Sequence, residues 1–131
     1  MNIIKVSKNY LVKLDDSLKS ALLKIDENKA RIVFVVDDAG IAQGAISDGD
    51  IRRYLLKSNN NGLASQCTDV MNVDFKSHNK SSNLKKLKNS YVNGIDCIPI
   101  LDNLGRIIEL SFDDLKGFKI GNKDISDKSS S

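Results

Sequence analysis

The chain has 131 residues, enough for one compact domain or for two very small units that share a core. Apolar residues make up 40% and charged residues 28%, and no apolar run approaches the roughly 20 residues of a membrane span. A net charge of +3 is too small to indicate nucleic-acid binding, and the N-terminus lacks the apolar core of a signal peptide. We therefore expect a cytoplasmic protein that contacts neither nucleic acid nor membrane.

The first half of the chain has the pattern of a β-α-β-β-α unit. The lead-in NYLVKL supplies a short strand, and the run RIVFVVD, rich in β-branched residues, predicts a second one. The glycine-containing turn DDAGI predicts a hairpin to the returning strand IAQGAIS, which leads into a helix that begins with carboxylates. Between the first two strands, apolar residues follow the spacing of one buried helical face: Leu18, Ala21, Leu22 and Ile25.

The second half repeats the order of these elements. VDFKSH supplies a short strand, and DCIPILD and RIIELS flank a second glycine turn. The interval between Gly40 and Gly105, which belong to the two turns, equals the interval between Asp37 and Asp102. The helix of this unit is marked by Leu84, Leu87, Tyr91 and Val92.

Units of this size bury too little surface to be stable alone, so we expect them to share a core. The predicted fold is α+β, with two tandem β-α-β-β-α units packed with pseudo-twofold symmetry and their sheets facing each other. We assign the first unit to residues 1–62, the second to residues 63–118, and a disordered tail to residues 119–131. Such a pair has a cleft where strands end and helices begin, which is a usual place for a small ligand.

The exit of the last strand in the first unit carries the segment GAISDGD, residues 44–50. Gly44 allows the strand to kink or another group to approach its backbone closely. Ser47 can cap the next helix, whose partly positive N-terminus attracts phosphate. Asp50 lies one turn deeper, where a carboxylate can accept hydrogen bonds from the two hydroxyls of a ribose. The pattern is typical of a nucleotide site, and also of a capping serine with acidic first-turn residues that only stabilise a helix.

These features resemble a pair of CBS domains, also called a Bateman module, over roughly residues 5–118. The resemblance is carried by the repeated plan and by the segments VVDDAGIAQGAISDGDIRRYLL and CIPILDNLGRIIELSFDDL. The family's Gly-x-x-Ser/Thr-x-x-Asp pattern is matched by Gly44, Ser47 and Asp50, which we assign as ligand-binding residues. It implies that the aspartate holds a ribose and the hydroxyl a phosphate.

The resemblance also implies that an adenine lies between the units, against apolar side chains and main chain of the preceding strands. At this place we assign Arg31 and Ile32 as ligand-binding residues. The implied function is regulatory sensing of an adenine nucleotide (AMP, ADP or ATP) or of S-adenosylmethionine. It implies neither an enzyme activity nor a catalytic cofactor.

The second unit departs from this pattern. Ser111 and Asp114 keep the three-residue spacing only if the second hairpin is one residue shorter than the first. In that register Ile108 replaces the glycine, and Glu109 places a charge beside the strand end. We assign Ser111 and Asp114 as ligand-binding residues of a degenerate second site.

The remaining reactive residues indicate neither a catalytic nor a metal site. His78 lies in a polar segment and is expected at the surface. Asp48 and Asp50 have no third ligand for a hard cation nearby. Cys67 and Cys97 lack the spacing of a zinc site and are expected to be free thiols.

The resemblance also implies partners. The segment SDGDIRRYLL is similar to CBS pairs attached to sugar-1-phosphate nucleotidyltransferases and sugar-phosphate isomerases, and CBS pairs commonly form homodimers through their helices. The expected function is a regulatory module that senses an adenosine-containing molecule and controls such an enzyme domain through a population shift. The alternative is a ligand-free module that only holds two chains together.

Overall fold

The computed structural model describes residues 1–28, 30–57, 62–91 and 95–113. Short 3-10 turns follow the first strand and connect the two halves, at Lys8–Tyr10, Gly62–Ala64 and Cys67–Asp69. The strands and helices of these ranges are β1 (Asn2–Lys5), β2 (Leu11–Lys13), α1 (Leu18–Asn28), β3 (Ile32–Val36), β4 (Ala42–Ser47), α2 (Asp48–Lys57), β5 (His78–Asn79), α3 (Leu84–Asn89), β6 (Cys97–Leu101) and β7 (Ile107–Phe112).

The strands form two mixed sheets, one for each predicted unit. The first sheet has the order β2-β3-β4, in which β2 and β3 are parallel and β3 and β4 form an antiparallel hairpin. The second sheet has the order β1-β7-β6-β5, with β5 and β6 parallel and β6 and β7 antiparallel. The repeated strand pattern predicted from the sequence is thereby confirmed.

Strand β1 belongs to the second sheet, although it lies at the start of the first unit. It pairs antiparallel with β7, from Asn2 opposite Phe112 to Lys5 opposite Glu109. This strand was not predicted from the sequence. It ties the beginning of the chain to the sheet of the second unit.

The two sheets face each other across a shared core. Phe34, Val36 and Ala45 of the first sheet pack in one buried cluster with Leu110 and Phe112 of the second sheet. Burial of this apolar surface joins the units, since each unit has only one other layer to pack against. The predicted α+β fold, with two facing sheets, is confirmed.

Helices cover the outer faces of the sheets. Leu18, Ala21 and Ile25 of α1 are buried against the first sheet and Leu22 is partly buried, which confirms the predicted helical face. In α3, Leu87 is buried against Ile98 and Ile100 of the second sheet. Leu84 is exposed, so its predicted burial is wrong, because α3 places only one of its leucines against the sheet. Val92 lies outside the described residues.

The two hairpins turn at glycines and touch each other at their tips. Gly40 and Gly105 have φ angles of 85° and 90°, a region that favours residues without a Cβ. The N–H of Ala42 donates to the carbonyl of Gly105 over 2.9 Å, and Ile41 forms an isolated bridge with Arg106. The units are therefore joined by main-chain bonds at the hairpin end of the fold.

The hairpins have the same length and register. Phe34 lies opposite Ala45 in the first hairpin, and Pro99 lies opposite Leu110 in the second. Counting from Phe34 to Pro99, or from Ala45 to Leu110, gives the same interval as counting from Gly40 to Gly105. Both ladders also shift register at the equivalent place near the turn. The expectation that the second hairpin is one residue shorter is therefore wrong.

His78 is not at the surface. It is 6% exposed and lies in β5 opposite Ile100, so the polar composition of its segment misled the prediction. Of the predicted strand VDFKSH, only this last residue is part of a strand. The helix predicted to close the second unit and the tail of residues 119–131 lie outside the described residues.

Candidate functional site

A cleft of about 560 Å³ lies between the two units. Its first wall is formed by residues 30–34 around the start of β3, by the end of β4 and by the first turn of α2. Its second wall is formed by residues 72–76, which precede β5, and by residues 95–97 at the start of β6. This volume lies within the range of about 300–1,000 Å³ that is usual for small-molecule sites.

Ser47 and Asp50 both line this cleft, at the point where β4 passes into α2. The Asp50 N–H donates to the Ser47 hydroxyl over 3.1 Å, and the Ser47 N–H donates to Oδ2 of Asp50 over 2.9 Å. These reciprocal bonds satisfy two of the otherwise unpaired N–H groups at the helix start. The capping role weighed from the sequence is therefore present, and it fixes both side chains at the edge of the cleft.

Two arginines of α2 neutralise the carboxylates of its first turn. Arg53 donates to Oδ1 of Asp50 over 2.8 Å, and Arg52 donates to Oδ2 of Asp48 over 3.0 Å. Both arginine side chains are largely exposed, and such surface pairs contribute only about 0–1 kcal/mol. A ligand that hydrogen-bonds to Asp50 thus displaces a weak ion pair.

Arg31 and Ile32 line the cleft at the start of β3. Arg31 has φ 65°, a left-handed conformation that costs of order 1–3 kcal/mol for a residue other than glycine and often marks a functional position. Its carbonyl accepts the N–H of Asp48 over 2.9 Å, which ties this bend to the start of α2. Ile32 is partly buried and lies opposite Ser47 in the hairpin.

The cationic side chains of Arg31 and Lys76 stand on the two opposite walls of the cleft. Within the described residues, neither of them has an ion-pair partner, whereas Arg52 and Arg53 are held by carboxylates. The same walls carry the carboxylates of Asp48, Asp50, Asp74 and Asp96, so the cleft holds charges of both signs.

Gly44 was assigned to ligand binding together with Ser47 and Asp50, but it does not line the cleft. It lies opposite Val35, two positions before Ile46, and this face of β4 points toward the helices. A Cβ at position 44 would lie 2.8 Å from both Cγ and Sδ of Met71. The close approach expected at Gly44 is confirmed, and the approaching group is Met71.

Ser111 is also turned away from the cleft. It lies opposite Ile98 in the same register that places Ile46 opposite Val33, so Ser111 is the counterpart of Ile46. It is fully buried, and its hydroxyl lies 2.6 Å from the hydroxyl of Tyr91. The predicted equivalence of Ser111 with Ser47 is wrong, because the hairpin is not shortened. Asp114 lies outside the described residues.

The second unit contributes cleft residues that were not predicted from the sequence. Phe75 stands in a tilted contact with Phe34, with ring centroids 6.2 Å apart, and Ile95 and Cys97 complete an apolar wall. Burial raises the pKa of the Cys97 thiol, and Asp96 raises it further, so this thiol stays uncharged at neutral pH. The constant offset between the two hairpins could have indicated Cys97, which is the counterpart of Ile32.

Among the described residues, no cluster of three or more potential metal ligands occurs, and no helix is long and apolar enough to cross a membrane. Both cysteines are buried and unpaired with each other.

Residues 3–57 match the family model of the CBS domain. No curated protein sequence matches the chain. Solved structures of CBS proteins resemble it over most of its length. The hypothetical conserved protein GK1048 of Geobacillus kaustophilus is 19% identical with a TM-score of 0.76, covering 88% of this chain and 90% of its own.

The CbpB protein of Listeria monocytogenes is 19% identical with a TM-score of 0.75, covering 87% of this chain and 91% of its own. A structure of CbpB in complex with c-di-AMP is 20% identical with a TM-score of 0.74, covering 87% of each chain. At these identities the likeness establishes the fold, which is that of a CBS-domain pair.

Proposed function

Because the chain has the fold of a CBS-domain pair, we propose that it is a non-catalytic regulatory module that binds an adenosine-containing ligand. The observation that carries this proposal is the cleft between the units, with Ser47 and Asp50 fixed at its edge. The c-di-AMP complex of CbpB adds support, since that ligand contains adenosine. AMP, ADP, ATP, c-di-AMP and S-adenosylmethionine are the candidate ligands.

In the proposed complex, each part of the ligand meets a group suited to it. The adenine packs against the apolar wall of Ile32, Phe75 and Cys97. A free ribose hydroxyl, of which AMP has two and each ribose of c-di-AMP has one, donates to the carboxylate of Asp50 and displaces the weak bond from Arg53. The phosphate lies at the N-terminus of α2 beside Ser47, where the helix dipole favours an anion.

Arg31 and Lys76 can pair with the phosphate of a nucleotide. They approach from opposite walls and have no ion-pair partner among the described residues. Four carboxylates line the same cleft, those of Asp48, Asp50, Asp74 and Asp96, so its charge does not by itself favour a nucleotide over the cationic S-adenosylmethionine.

Regulation follows if the ligand favours one arrangement of the two units, because it contacts both walls of the cleft. We propose a sugar-phosphate enzyme, attached or separate, as the controlled partner, on the similarity of the segment SDGDIRRYLL alone. The buried unpaired thiols fit the cytoplasm as the proposed location.

Calorimetric titration with AMP, ATP, c-di-AMP and S-adenosylmethionine tests the proposal, first on the unaltered chain and then on Asp50→Ala. The variant should lose binding at least tenfold and about 1 kcal/mol of stability from the lost cap. Asp69→Ala is the matched control, because Asp69 also closes a capping box, in a turn outside the cleft, and should bind normally. Unchanged affinity in Asp50→Ala contradicts the site.

A second candidate function is dimerisation without a ligand, and a specific surface favours it. Leu23 of α1 is 61% exposed and Leu56 of α2 is 81% exposed, and Leu63 lies in a 3-10 turn that contacts both helices. Sedimentation equilibrium on Leu56→Glu tests this surface, with Leu104→Glu at a hairpin tip as the control. Loss of a dimer in the first variant only, with no binding of any adenosine ligand, favours this function.

A further inference from the structure

The cleft has a pseudo-symmetric counterpart whose composition is different. Since the two hairpins share one register, each residue of the second has a counterpart at a constant offset in the first. Ser47 lies opposite Ile32 in the first hairpin, and Phe112 lies opposite Cys97 in the second. Phe112 therefore stands where the hydroxyl of Ser47 stands in the first unit.

Phe112 is not free to move aside for a ligand. It is 1% exposed and packs against the ring of Tyr10, with centroids 6.3 Å apart and an angle of 55° between the planes. Tyr10 comes from the 3-10 turn of the first unit and is itself 7% exposed. Both rings belong to the shared core, together with Cys97, Ile107 and Leu110.

The strand that carries Phe112 is also held on both sides. Its first neighbour β6 belongs to the hairpin, and its other neighbour is β1, in which Asn2 lies opposite Phe112 itself. The corresponding strand of the first unit is β4, which pairs with β3 on one side. Among the described residues, its other side pairs only through the isolated bridge between Ala45 and Asn72. Opening the second half would thus disturb a sheet as well as a core.

We propose that the chain binds one ligand only, in the half of the interface beside Ser47, and that Phe112 and Tyr10 permanently close the other half. The ligand part of this inference rests on the proposed function. The closure itself does not, because it follows from the burial and pairing of these two residues. A regulatory signal from this module then starts from one place only. The single ligand contacts the start of α2, and no second ligand binds at the equivalent position of the second unit.

Counting the bound ligand tests the first part. Titration of the unaltered chain with the nucleotide that binds best should give one ligand per chain, and Asp50→Ala should leave no residual binding. Two ligands per chain, or half of the binding surviving in Asp50→Ala, would overturn the inference while the proposed function stands. No binding by any nucleotide would instead defeat the proposed function.

The closure can be measured without any ligand, since the chain contains no tryptophan. Tyr10→Trp places a single fluorophore in the closed half, and Phe75→Trp places one in the open cleft. Iodide should quench the fluorescence of Tyr10→Trp several-fold less than that of Phe75→Trp, and the emission of Tyr10→Trp should lie at shorter wavelength. Equal quenching in two folded variants would show that the second half is open and would contradict the inference.

Discussion

Replacing Gly44 by alanine separates the packing role of this residue from a role in ligand binding. In the structure, the added Cβ would lie 2.8 Å from Cγ and Sδ of Met71 and 2.9 Å from its Cβ, which are closer contacts than folded proteins tolerate. Met71 cannot simply withdraw, because two main-chain bonds between Ala45 and Asn72, of 2.8 and 3.0 Å, hold the adjacent backbone. Overpacking of this kind costs about 1–3 kcal/mol.

We therefore expect Gly44→Ala to lower the free energy of unfolding by about 1–3 kcal/mol, measured by urea titration with circular dichroism. Nucleotide affinity should be unchanged, because position 44 points away from the cleft. Combining it with Met71→Ala should recover at least half of the loss, since two of the three close atoms are then absent.

Gly49→Ala is the matched control for this experiment. Its added Cβ meets only the flexible guanidinium end of Arg53, at 3.3 Å, and alanine favours a helix over glycine by up to about 1 kcal/mol. The control should be at least as stable as the unaltered chain. A Gly44→Ala variant of full stability that has lost nucleotide binding would refute the placement of Gly44 on the helix-facing side.

Three further predictions concern buried polar groups. Asn28→Ala should lower the free energy of unfolding by about 2–3 kcal/mol in the same urea assay. The buried side-chain amide of Asn28 makes three hydrogen bonds of 2.7–3.1 Å around the bend before β3. A loss below about 0.5 kcal/mol would contradict this prediction. Ser111→Ala should cost about 1 kcal/mol, because it removes the bond between the Ser111 and Tyr91 hydroxyls while Tyr91 keeps its bond with the main chain of Ile98. Nucleotide affinity in calorimetry should not change, and weakened binding would show that Ser111 belongs to the site. Burial raises the pKa of Cys67 from 9.0 to about 11, so its contribution to stability is complete below pH 9 and is lost as pH rises toward 11. Between pH 8 and 11, the urea midpoint of unfolding should fall less steeply with rising pH in Cys67→Ala than in the unaltered chain. An identical slope in the two proteins would contradict this prediction.

Local signals predicted the elements well, because they depend on spacing within a few residues. The apolar face of Leu18, Ala21 and Ile25 and the turns at Gly40 and Gly105 all lie where periodicity and turn chemistry place them. The exposed Leu84 shows the limit of periodicity, since a six-residue helix has too few positions to define a buried face.

The candidate site was predicted only in its first half. Ser47 and Asp50 follow a local pattern that the structure places at the cleft edge. Ser111 was misplaced because a shift of one residue in a hairpin moves a side chain to the other face of the sheet, and spacing alone does not reveal the register. The second wall, with Phe75 and Lys76, is non-local and depends on how the two units meet.

The position of β1 has a consequence for how the protein forms during synthesis. Its partner β7 begins at Ile107, more than 100 residues later, so the N-terminal strand leaves the ribosome long before its place in a sheet exists. At about 5–20 residues per second, that delay is on the order of 5–20 s. During this interval an unpaired strand edge is exposed, which is the kind of segment that invites wrong pairing between nascent chains. Strand β1 is therefore made long before it is placed, and ending the chain before Glu109 should leave it without a partner.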